Sequence, residues 1–98
     1  MKIDVTDTIK NYDGKIVKED NNPLTLRTVF VASLNATEKG EVRTAEDKAK
    51  AFQISSKLYD NNEVKLTVDD MAFLKERVGK FFSPLVYGRV CELFDGEK

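Results

Sequence analysis

The chain has 98 residues, 41% of them hydrophobic and 34% charged, with 16 basic against 17 acidic side chains and a formal net charge of −1. That size and mix describe one soluble domain around one core, and the alternating signs leave no basic stripe for nucleic acid or an anionic membrane. Histidine is absent and Cys91 is the only cysteine, which removes internal disulfides, Ser–His and Cys–His nucleophile pairs and most zinc sites, and fits a reducing cytoplasm.

The opening residues MKIDVTDTIK carry no apolar run, so they do not read as a signal peptide, and no later stretch is apolar for long enough to span a bilayer. Residues 1–20 predict a β-hairpin. Ile3, Val5 and Ile9 stand at odd positions between Lys2, Asp4 and Thr6, which is a period of two. Asp13-Gly14 supplies a pair that tolerates positive φ in a tight turn, and residues 15–18 return as a strand. The polar run Glu19-Asp20-Asn21-Asn22-Pro23 reads as a breaker that ends it.

Thr25 then caps a helix over 25–37, with Leu24 and Val29 as a hydrophobic staple and Leu26, Phe30 and Leu34 as its buried stripe. Thr44 opens a second helix over 44–60, and Asp47 three residues on suggests a variant capping box. Ala45, Ala49, Phe52 and Ser56 form one row on this helix, and Ala51, Ile54 and Leu58 form another. The alanines favour helix and leave room for a close neighbour.

Residues 63–66 alternate and offer a short extra strand to the hairpin. Leu66 also suits a staple to Met71 across the Thr67 cap and Asp70. A third helix over 67–82 buries Met71, Leu74, Val78 and Phe81. Its acids Asp69 and Asp70 lie near the start and Lys75, Arg77 and Lys80 towards the end, in agreement with the helix dipole.

The stretch VGKFFSPLVYGRV at 78–90 is a helix–helix corner. Ser83 caps and Pro84 takes the first position of a helix over 84–94, where its missing N–H costs nothing. Phe82 and Tyr87 form a third staple, and Leu85, Val86, Val90, Leu93 and Phe94 the apolar face. Gly79 and Gly88 each cost roughly 1 kcal/mol against alanine inside a helix, so another backbone is expected close by, from the hairpin or from a partner subunit. Arg89 is placed to pair with Glu92 or with a partner carboxylate.

Chemistry is sparse. Counted from Asp60, an EF-hand loop would need glycine where Lys65 stands and glutamate where Met71 stands. Neither GxGxxG nor GxxxxGK[ST] occurs, so no phosphate cradle is visible. Asp69 and Asp70 diverge by about 100° around their helix and are explained by capping. Cys91 reads as a small buried hydrophobe. Lys48, Lys50 and Lys57 share a solvated face with Glu46, Asp47 and Asp60. No catalytic, metal-binding or cofactor-binding residue is assigned, and the chain is expected not to be an enzyme.

From Leu24 onward the sequence carries Pro23-Leu24-Thr25-Leu26, Ala45-Glu46-Asp47-Lys48-Ala49, Glu63-Val64-Lys65-Leu66-Thr67 with Asp69-Asp70, Val78-Gly79-Lys80 and Pro84-Leu85-Val86-Tyr87-Gly88-Arg89. In these elements it resembles small phage- and prophage-encoded proteins of unassigned function. The resemblance implies a viral accessory protein made in the bacterial cytoplasm, with virion association as an option, and it implies no reaction.

The expected fold is α+β and mostly helical: an N-terminal β-hairpin packed on four helices in one domain over 1–98. The expected function is non-enzymatic protein–protein interaction in virion morphogenesis or self-association. The alternatives are a regulator that binds a host enzyme or transcription complex, and a nucleic-acid-binding accessory protein, which the charge balance disfavours. No cofactor, small-molecule substrate or membrane partner is expected. Phe82, Tyr87 and Arg89 are the candidate partner anchors, because aromatic and arginine side chains dominate interfaces. Val31 and Phe73 join them because they fall off the main stripes of their helices.

Overall fold

Hydroxyl side chains set the start of every helix in a computed structural model that describes residues 1–96. Thr25, Thr44, Thr67 and Ser83 accept from the backbone N–H groups of Thr28, Asp47, Asp70 and Val86 at 3.3, 3.0, 3.0 and 3.4 Å. Each such cap is worth about 1 kcal/mol, because it satisfies one of the free donors at a helix start. The helices that follow are α1 (Leu26–Asn35), α2 (Ala45–Asp60), α3 (Val68–Phe81) and α4 (Pro84–Asp95). The fold is α+β and mostly helical.

The capping box is complete only on α3, where the Asp70 carboxylate accepts from the Thr67 N–H at 3.1 Å. On α2 the expected reciprocal half is missing. Asp47 instead accepts from Arg43 at 2.8 and 3.3 Å, because a charged fork of donors outcompetes a single backbone amide.

The strands pair differently from the expected hairpin. β1 (Lys2–Asp4) lies antiparallel to β4 (Glu63–Lys65) with Ile3 opposite Val64, so the extra strand at 63–66 exists and takes β1 as its partner. Asp13-Gly14 does form a tight turn, with Gly14 at φ 85°, but it closes only one bridge, between Lys10 and Ile16. The polar run at 19–23 is a hairpin turn and not a breaker. β2 (Lys18–Glu19) pairs with β3 (Asn22–Pro23) around Asp20 and Asn21, which hold φ 51° and 67°. Asp and Asn tolerate this left-handed conformation because their short side chains hydrogen-bond locally.

These N-terminal segments close on one another. The Ile9 N–H donates to Leu24 O at 2.8 Å, the Leu24 N–H to Val17 O at 2.9 Å, and the Val17 N–H to Ile9 O at 2.9 Å. Ile9 and Leu24 point into the core while Val17 half covers it. Residues 22–25 therefore belong with the N-terminal meander and deliver the chain directly into α1.

α1 is the hub of the helices, packing against both α2 and α3, while α4 packs on α3. Phe30, Leu34, Leu58, Leu74, Val78 and Val90 are fully buried in one cluster that also takes Ile3, Val5 and Ile9 from the N-terminus. Phe30 of α1 stacks on Phe94 of α4 with ring centroids 5.7 Å apart. Several expected core residues are only half-buried: Met71 and Phe81 on α3, and Leu85, Cys91 and Leu93 on α4. Phe81 lies at the end of its stripe, and the Arg77 guanidinium sits 5.0 Å from its ring centroid.

Arg77 itself is 2% exposed. It donates to the Ser33 carbonyl at 3.2 Å, to the Ala36 carbonyl, and to Glu41 at 2.7 and 3.3 Å. Lys80 reaches the same carboxylate at 2.9 Å, and the Glu38 N–H reaches it at 3.0 Å. Arg77, then Lys80 and the Glu38 amide, hold the Glu41 carboxyl down to about 2 from the ordinary 4.5. The folded state thus favours the ionised form. Its contribution is complete above pH 4.5 and is lost as pH falls towards 2. The melting-temperature advantage of the native chain over Glu41→Gln, followed by circular dichroism, is expected to be largest at neutral pH and to shrink between pH 4.5 and 2. A gap that stays constant through that window would contradict the assignment.

Candidate functional site

The five anchor candidates divide between two places. Phe82 and Tyr87 line one side of the α3–α4 corner, a groove of about 420 Å³ shared with Lys75, Glu76, Gly79 and Pro84. Arg89 lies round α4 in a second groove of about 360 Å³ with Tyr12, Pro84, Leu85, Gly88 and Glu92. Val31 and Phe73 line neither. They are half-buried against the core and do not stand free in solvent, and Lys50 covers the Phe73 ring at 5.3 Å.

Within the corner, Phe82 is the C-cap of α3 and packs on the core. Tyr87 is 38% exposed. A Cβ added at Gly79 would stand 3.1 Å from Tyr87 Cε1, so that glycine accommodates an aromatic ring and not a second backbone. At Gly88 nothing lies within 4 Å. Within the chain, the expected close approach of the hairpin backbone therefore occurs at neither position, and the corner is built by Tyr87 lying back over α3.

Arg89 is committed within the chain. Its Nε and Nη2 donate to the carbonyls of Lys10 and Asn11 at 2.8 and 2.7 Å, and Nη1 pairs with Glu92 at 2.9 Å. This ties the 11–14 turn to α4 across most of the sequence. A partner carboxylate would have to displace Glu92, which is the weaker of the two attachments because that pair is exposed.

Two further exposed aromatic rings lie elsewhere, together on one helix face. Phe52 and Tyr59 of α2 are 71% and 75% exposed, seven residues and so two turns apart on one face. Ala45 and Ala49 on the same face are exposed and Ser56 is half-exposed, whereas the row Ala51, Ile54 and Leu58 is buried. The sequence showed both rows. Which row is covered depends on α2 packing mainly against α1, which buries a single row and leaves the other bare.

Beside this face runs the largest groove, about 760 Å³, between α2 and the start of α3, lined by Ala49, Phe52, Ser56, Lys57, Thr67 and Asp70. The site offers aromatic rings, small side chains and mixed charge, which suits burial against another surface. Among the described residues, no group of three or more acidic, cysteine or histidine side chains gathers for a metal, and no helix is long and apolar enough to cross a membrane. No protein family, curated protein or solved structure matches the chain.

Gly88 gives a clean check of the corner. With open space at its Cβ position, Gly88→Ala is expected to stabilise the fold by about 0.5–1 kcal/mol through helix propensity, measured by denaturant unfolding. A loss of stability would mean that the α4 surface is more crowded than it stands here.

Proposed function

We propose that the chain is a non-enzymatic protein-interaction module of a bacterial virus, acting in virion morphogenesis or self-association in the cytoplasm of the host. The observation that carries this reading is the pair of bare aromatic rings, Phe52 and Tyr59, on the face of α2 turned away from α1. A solvated helix face of a free-standing domain is normally polar. Two large rings left in water there are the residue type enriched in surfaces that another chain covers. The viral setting is supported by the resemblance of the sequence from Leu24 onward.

The expected mechanism is burial of apolar area. An aromatic side chain fully removed from water contributes roughly 1.5–3 kcal/mol, and association itself costs an estimated ~4–15 kcal/mol in lost freedom. Two rings per partner are therefore enough for a reversible contact and not for a permanent one. The corner groove with Phe82 and Tyr87 is the second surface available to a partner.

Light scattering over a wide concentration range is expected to show the mass rising with concentration, or else a stable complex with a protein of the same virion. A chain that stays monomeric at millimolar concentration and binds no virion protein would contradict the reading.

A further inference from the structure

Resting on the reading of the chain as an interaction module, we propose that the bare face of α2 docks on the same face of a second copy, with the two helices antiparallel about a two-fold axis at Phe52. Ala45, Ala49, Phe52, Ser56 and Tyr59 recur at steps of four, three, four and three. At about 100° per residue they fall in a strip roughly 80° wide, on the far side of α2 from Ala51, Ile54 and Leu58. This is the a/d spacing of a helix–helix seam. It is exposed over the length of α2, and nothing in the chain's own fold occupies it.

Side-chain size selects the occupant and the direction. With the axis at residue 52, each Tyr59 faces the second copy's Ala45, and each Ser56 comes within one residue, about 1.5 Å along the helix, of its Ala49. Large meets small and small meets small along the seam. The central Phe52 of each copy lies beside the other's groove, lined by Ala49, Ser56, Lys57 and Thr67. A parallel arrangement would set Tyr59 against Tyr59 and Ala45 against Ala45, crowded at one end and hollow at the other.

Charge selects the same direction. α2 carries Glu46 and Asp47 in its first turn and Lys57 in its last. The antiparallel pair brings Glu46 of each copy to the Lys57 end of the other, where Lys57 also pairs with its own Asp70 at 3.4 Å, whereas Asp47 lies on the opposite side of α2, held by Arg43. Asp60 then lies at the positive N-terminal end of the opposing helix, where a carboxylate is favoured. The parallel pair would oppose acids to acids and align the two helix dipoles. One helix of this length presents a strip about 24 Å long and about 10 Å wide, about 240 Å² in all, short of the roughly 800 Å² per partner of a long-lived complex. The dimer is accordingly an exchanging one.

The test uses the whole chain carrying Cys91→Ser, with Ala49→Cys in one preparation and Ser56→Cys in another. Both are checked for an unchanged circular dichroism spectrum and melting point. Under mild oxidation the mixture is expected to form at least about tenfold more cross-linked dimer than either preparation alone, because only the antiparallel seam brings position 49 of one copy near position 56 of the other, within the reach of a disulfide of about 7 Å between Cα atoms. Phe52→Ala is expected to weaken the concentration dependence of the mass at least about tenfold. Equal cross-linking in the separate and mixed samples would overturn the antiparallel seam. A mass that still rises in Phe52→Ala as it does in the native chain would overturn the α2 face and leave the interaction reading standing, since association would then run through another surface. A native chain that remains monomeric and binds no virion protein would overturn both.

Discussion

A guanidinium is a planar fork of donors, and this chain uses all four of its arginines to hold backbone carbonyls of segments elsewhere in the sequence. Arg77 on α3 and Arg43 in the loop converge on the end of α1, taking Ser33, Leu34 and Ala36. Arg27 on α1 reaches the end of α2, taking Leu58 and Asn61 at 2.8 and 2.9 Å. The last carbonyls of a helix have no partner within it. Many helices solve this with a left-handed glycine. α1 and α2 have Ala36 and Asn61 there instead, both extended, so the arginines supply the donors that the local sequence does not.

That arrangement explains how short elements make a definite fold. α1 has only ten residues and the longest strands only three, lengths that are marginal alone in water. The apolar cluster gives α1 its burial, but apolar contact is non-directional. The forks and the backbone ring through Ile9, Leu24 and Val17 add direction, fixing where each segment lies along its neighbour. Among the described residues no buried side-chain nitrogen or oxygen lacks a partner, so this polar framework does not leave a desolvated group unmet. It also commits the guanidinium donors within the chain, leaving lysines as most of the uncommitted positive charge.

What was legible in the sequence was local. Caps at Thr25, Thr44, Thr67 and Ser83 and the stripe Leu26, Phe30, Leu34 depend on residues within one or two turns, and they gave four helices close to their observed limits. What was not legible was long-range. β1 finds its partner some sixty residues away, and no pattern within residues 1–20 specifies that choice. Arg77 fitted a dipole role at the end of its helix, yet its carbonyl partners lie on α1 and beyond its end. The α3–α4 corner was located correctly as a helix junction, but the glycines there serve a tyrosine ring and open space. The α2 face was visible as a row but was not singled out as a contact surface, because which of two apolar rows stays bare is decided by where α1 packs.

Fold and surface therefore follow from one division of labour. Arginine forks and buried aliphatic side chains hold the elements to each other, and a row on α2 remains exposed. Melting temperatures of the four single replacements Arg27→Lys, Arg43→Lys, Arg77→Lys and Arg89→Lys test that division most directly, since each keeps the charge and removes the fork. All four are expected to lower the melting temperature. Arg77→Lys should fall furthest, by about 3 kcal/mol of stability or more, because it leaves Glu41 and the end of α1 underpaired at a buried position. Four lysine variants as stable as the native chain would show that charge and apolar packing suffice, and that the forks do not determine the fold.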